Sequence, residues 1–249
     1  MTLLQNWLTR SAHDWGISPR TAILLFLLPL VAGALLFLTW MRRDVFVFIL
    51  AEDSIVEWLS AATFAGAAVF AAVLAWRQYR ADHWKHSLLF GSIAALLVFL
   101  TGEEISWGQR LIGIETPEAL SSINRQQEIT VHNIGDLLEV FRLGMLFIGA
   151  YGVIVPLISL SDWWQQRTRL RRFVFVPPLF LTSSFLILFL FRLSRLTIYQ
   201  YGGDFKRFEE FTELCLAFAI LTILWLLTRR DTRKAESATV DDRVQLPST

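Results

Sequence analysis

The chain has 249 residues, of which 54% are apolar and 18% charged, and its formal net charge is +1. The near-neutral balance lacks the basic excess of a nucleic-acid binder. Repeated apolar runs of about 20 residues, the length a helix needs to cross roughly 30 Å of hydrocarbon, exclude an ordinary soluble domain. The Leu, Phe and Ala runs are continuous and lack the alternation of a membrane barrel. The expectation is an all-α polytopic bundle embedded in a lipid bilayer.

In chain order, residues 1–20 place Leu3, Leu4, Trp7 and Leu8 on one side of a short interfacial helix. The N-terminus shows no compact signal-peptide pattern, so the first apolar run is expected to be retained. Six spans follow within residues 21–228: about Thr21 to Met41, Ser54 to Trp76, Ser87 to Ile105, Leu137 to Leu160, Phe173 to Phe191 and Glu209 to Thr228. In the second, Ala61, Ala65, Ala68 and Ala72 form a small-residue row suited to close helix approach. Trp40, Trp76, Trp163 and Trp164 fall where aromatic belts belong. Residues 229–249 are polar and expected to be a disordered tail. The lone Cys215 lies in an apolar run and allows no intramolecular disulfide.

On this map 14 of the 23 Lys and Arg residues lie on the side of both termini, with Arg167, Arg169, Arg171 and Arg172 clustered in one short loop. The positive-inside rule then places the termini in the cytoplasm, as in a bacterial inner membrane protein. Acids are distributed oppositely, with 15 of 22 on the outer side. Several sit at or within spans: Glu57 with Asp53 one turn before it, Glu103 and Glu104, and Glu209, Glu210 and Glu213. Ionisable groups at that depth need a partner, a coordinated ion or a wet cavity. Glu209, Glu210 and Asp53 also suit the positive pole of a helix start. Glu103 and Glu104 end their helix at the negative pole, so dipole capping cannot account for them.

The loop between spans 3 and 4 carries a second signal. Asn124, Glu128, His132 and Asp136 recur every four residues, with Glu139 three further on, which predicts an extracytoplasmic amphipathic helix. Glu128 and His132 have the spacing of a ligand pair, and Asp136 could be a third ligand or orient the imidazole. The bland alternative is a solvated polar face. A site with one histidine and several carboxylates would suit Zn²⁺, Ca²⁺, Mg²⁺ or Mn²⁺.

Other signals are weaker. His83 and His86 with Asp82 lie in a loop on the opposite side, and Ser106 misses the serine-nucleophile elbow pattern at its first position. Arg192, Arg195, Lys206 and Arg207 suit interfacial anchors or an anionic head-group contact. Glu103-Glu104 followed by Arg110 resembles the Glu-Glu…Arg signature of intramembrane CAAX-type proteases. The Arg lies six residues on where that pattern has four, and no Phe-x-x-x-His occurs, so the family is not assigned.

The resulting expectation is a membrane-embedded hydrolase or transferase acting on a lipid or lipid-linked substrate at the outer boundary. Glu57, Glu103, Glu104 and Glu213 are the candidate catalytic residues. Glu104, Glu128, His132 and Asp136 are the candidate metal ligands, and Trp107, Arg110 and Asn133 would contact substrate. A non-catalytic scaffold or sensor and a proton- or ion-coupled transporter are the alternatives.

Overall fold

A computed structural model describes residues 2–51, 54–118, 124, 129–131, 134, 137–168, 171, 174–197 and 206–244, without the side chains of 110, 111, 197 and 234–244. Thr2 opens the first helix, α1 (Leu3–Trp15), with a reciprocal Thr–Gln capping box, and Gly16 closes it in the left-handed region (φ 67°). Ser18 caps α2 (Pro19–Thr39), which has proline at its first turn. Then come a short α3 (Arg43–Ile49), α4 (Ile55–Arg80), α5 (Trp84–Glu104), a 3₁₀ turn at Ser106–Gly108 and α6 (Gln109–Ile112). The second half contains α7 (Leu137–Ile158), α8 (Asp162–Gln165), a 3₁₀ turn at Leu179–Leu181 running into α9 (Thr182–Thr197), and α10 (Phe208–Val244).

Among the described residues, six helices are long and apolar enough to cross a membrane: α2, α4, α5, α7, α9 with its leading turn, and α10. They match the six expected spans, and the molecule is an integral membrane helical bundle. The fifth begins later than expected, at Leu179, because Pro177 and Pro178 cannot supply N–H donors to a continuing helix.

Burial distinguishes the helices. α10 is the most enclosed span and α2 the most exposed. On one flank α10 packs against α4, which itself lies along α5; on the other it packs against α9, which carries α7 and α2. The first flank is joined by Phe64, Ala67, Ala68, Ala71 and Leu74 of α4 with Leu97, Ala217 and Leu224. The buried small-residue row is therefore Ala61, Ala67, Ala68 and Ala71. Ala65 is half-buried and Ala72 exposed, which corrects the expected register. On the second flank Gly149 and Gly152 of α7 let α9 in. A Cβ at Gly149 would stand 2.9 Å from the Phe189 backbone nitrogen, and one at Gly152 would stand 2.1 Å from the Phe185 ring.

α1 packs on the bundle through buried Leu8 and Ala12, and Ser11 accepts from the Leu179 N–H at 3.0 Å. At the same end Arg230 lies over the Trp15 ring and Arg233 reaches the Gly16 carbonyl. Both ends of the described chain therefore share one face of the bundle. The segment expected to be a disordered tail continues α10 as helix to Val244. Its first turns are held by Arg77, which donates to Thr232 at 2.7 Å, and by Gln78, which donates to Asp231 at 3.2 Å. Trp40, Trp76 and Trp163 are exposed as a belt requires, whereas Trp164 is buried.

Candidate carboxylate site at one end of the bundle

The N-terminal ends of α4, α7 and α10 and the C-terminal ends of α5 and α9 meet at the end of the bundle opposite α1. The sequence brings acids there in helical register. Glu209 and Glu213 are four residues apart and share a face of α10, while Glu210 and Glu213 share the adjoining one. Because α10 is the seam between the two flanks, its acids face both.

Toward α9, Arg192 is 4% exposed and bonds two carboxylates. It contacts Glu209 and donates to Glu213 at 2.8 Å. Arg142 of α7 approaches Glu209 at 3.9 Å and pairs with Glu139 at 2.7 Å. A buried guanidinium is stable only when its charge is compensated, which is what Glu209 and Glu213 supply.

Toward α5 the charges are alike. One carboxylate oxygen each of Glu104, Glu210 and Glu213 lie within 4.8 Å of one another, and all three residues are half-buried. Glu57, also half-buried, is close enough to exert an electrostatic effect on Glu104. Among the described residues Glu104 accepts no hydrogen bond and forms no ion pair. It also sits at the negative pole of α5, so the dipole adds to the repulsion from its neighbours. Glu213 is already paired with Arg192, so within the group it is the Glu104 charge that a cation or a proton would offset.

Glu103 has a different task. Its two oxygens accept from Trp107 Nε1 and from the Val131 N–H, both at 2.7 Å. The Trp107 ring lies where a side chain at Gly102 would stand, 2.9 Å from a Cβ built there. The turn that makes this possible is strained. Ser106 (φ 47°) and Trp107 (φ 54°) both lie in the left-handed region, followed by Gly108 (φ 75°). Each such non-glycine residue costs about 1–3 kcal/mol and persists only where surrounding contacts hold it. Here the contacts are Glu103 and also Gln109, which donates to Thr116 at 2.6 Å and accepts from the Ile129 N–H at 2.7 Å. The turn thus fastens the loop to the end of α5.

Of the candidate residues, Glu104 and Glu213 are brought together, Glu57 lies near them, and Glu103 and Trp107 form the latch. Asp53, Glu128, His132, Asn133 and Asp136 lie outside the described residues, as does the Arg110 side chain. The amphipathic helix expected from Asn124 onward is not found at its described positions. Asn124 and Ile134 form an antiparallel bridge. Ten residues of helix would separate them by about 15 Å. The buried Asn124 amide instead donates to Thr130 at 2.7 and 3.0 Å, a local side-chain bond that competes with helix.

From sequence, Glu210 is one of the acids opening the sixth span and Arg192 an interfacial anchor or head-group contact; neither is placed in the carboxylate site. A signal for Arg192 was present. Leu181, Phe185, Leu188 and Arg192 recur at four-, three- and four-residue spacing, so Arg192 continues the buried face of α9.

No protein family, curated protein or solved structure matches this chain.

Proposed function

We propose that this is a cation-dependent membrane-embedded hydrolase or transferase acting on a lipid or lipid-linked substrate at the outer boundary of a bacterial inner membrane. The observation that carries the reading is the grouping of Glu104, Glu210 and Glu213 within 4.8 Å, with Glu104 lacking a donor among the described residues. Three oxygens spread around one Ca²⁺ at about 2.3–2.6 Å stand at most about 4.0–4.5 Å apart, and around Mg²⁺ at about 2.1 Å at most about 3.6 Å. A group within 4.8 Å therefore lies nearer the Ca²⁺ spacing and would close further on Mg²⁺. A cation held there would polarise a carbonyl or phosphoryl oxygen or activate water. Glu57, whose charge acts on Glu104, would move a proton as general acid or base. Arg192 pairs with Glu209 and Glu213 and holds both in position. The outer location rests on the Lys and Arg distribution, which favours cytoplasmic termini.

Elemental analysis of protein purified without chelators tests the cation. Wild type is expected to retain a stoichiometric divalent metal, and Glu104→Gln and Glu213→Gln are expected to lose most of it while keeping the elution profile of the folded protein. Metal-free wild type that stays metal-free after incubation with Ca²⁺, Mg²⁺, Mn²⁺ or Zn²⁺ would remove the reading.

A further inference from the structure

Ser60 of α4 is 1% exposed, and its hydroxyl has no hydrogen-bond partner among the described residues. Inside a span such a hydroxyl ordinarily donates to the carbonyl four residues back. Thr63, Thr101, Thr222 and Thr228 all do so, at 2.6 to 2.9 Å, and Ser60 does not. A buried hydroxyl left this way calls for a partner from outside the chain. Among the described residues the other unpartnered buried hydroxyls, those of Thr182, Ser183 and Ser184, lie at the opposite end of the bundle, where α9 begins.

The direction of this side chain follows from the pairing of two parallel helices. Ser60 shares the buried face of α4 with Val56, Phe64, Ala67 and Ala71. Phe64, Ala67 and Ala71 cluster with Leu97 of α5 and with Ala217 and Leu224 of α10, so this face looks into the seam between those two helices. Farther along, Gln78 of α4 donates to Asp231 of α10 at 3.2 Å. Ser60 precedes Gln78, and Glu213 precedes Asp231, by the same eighteen residues, five whole turns of helix. Ser60 therefore faces Glu213 as Gln78 faces Asp231. Glu104 stands across the same seam, on α5.

We infer that Ser60 Oγ is a neutral oxygen ligand of the cation held by Glu104, Glu210 and Glu213. This rests on the proposed cation and adds the character of the ion and the side on which it stays open. The ligands are all oxygens, which suit Ca²⁺ or another hard cation of its size. A hydroxyl contributes an oxygen without enlarging the acid surplus of Glu104 and Glu210. Ser60 and Glu213 lie about 4.5 Å deeper along their helices than Glu57 and Glu210. They close the cation from the membrane interior and leave the opposite side for water or a substrate oxygen, the open position a catalytic metal requires.

Calorimetric titration of the whole protein in detergent, stripped of metal and then supplied with Ca²⁺, measures the affinity. Ser60→Ala should weaken it about ten-fold or more while leaving the metal-free thermal midpoint unchanged. Ser60→Cys replaces the hard oxygen with a soft sulfur. It should shift preference from Ca²⁺ toward Cd²⁺ by about ten-fold or more relative to wild type. It should also give a thiolate-to-Cd²⁺ absorption band that wild type, with buried Cys215 alone, lacks. A packing role for Ser60 would move neither the preference nor the band. Unchanged Ca²⁺ affinity in Ser60→Ala, or Ser60→Cys without the band, overturns the ligand. If Ser60→Ala does not fold, Ser60→Cys, close to serine in size, decides. Wild type that takes up no cation sinks the cation itself, whereas wild type and Ser60→Ala taking up Ca²⁺ equally well sinks Ser60 alone.

Discussion

Arg192 is the residue on which most of the charged end depends. Its two carboxylate partners come from one helix and its own backbone from another, so it ties α9 to α10 at the depth where water is scarce. Removing one partner of a buried pair strands the other charge, at a cost of about 3–5 kcal/mol. Arg192→Met should therefore lower the thermal midpoint in detergent sharply, and adding Glu209→Gln should recover part of the loss. An unchanged midpoint for the single variant would mean that the pair contributes no net stability. Arg192 was legible as a charge near a span end but not as a buried one, since interfacial anchors and interior ion pairs share that sequence position. Its place on the Leu181, Phe185 and Leu188 stripe tells them apart.

At the scale of elements, the contact of α7 with α9 is set by two glycines. Gly149 and Gly152 face Phe189 and Phe185 so closely that any side chain must push the helices apart. Gly149→Val should cost about 1–3 kcal/mol of stability through overpacking. Gly144→Val, on the same helix with open space around it, should cost far less, and paired melting curves of the two variants decide the point. The spans were readable from apolar run length because the bilayer imposes it. Where other forces govern, reading fails. The polar four-residue spacing from Asn124 satisfies a helix, yet the Asn124 amide finds its partners on Thr130 instead. The end of α10 reads as unstructured from composition alone, but Arg77 and Gln78, some 150 positions earlier, hold Thr232 and Asp231 in the helix.

Across the whole molecule, charge and topology agree. Six spans place both ends of the described chain on one face, and Arg233 meets Gly16 there. If the basic face is cytoplasmic, a green fluorescent protein fused after Thr249 should fluoresce and an alkaline phosphatase fused there should be inactive; the reverse pattern would invert the orientation. The candidate site was half legible in the sequence. That acids gather on one side follows from counting, but which of them touch depends on rotation about each helix axis. Glu103 and Glu104 are neighbours in the chain, yet one fastens a loop and the other faces a carboxylate group.

The position of α10 has a mechanical consequence. Glu213 is bonded to Arg192 across one seam and crowds Glu104 across the other, so its carboxyl group belongs to both halves of the bundle at once. If the α7–α9 layer slides along the α4–α5 layer, the spacing of the Glu104, Glu210 and Glu213 oxygens changes with it. The two halves therefore cannot shear without altering the place where a cation would be held.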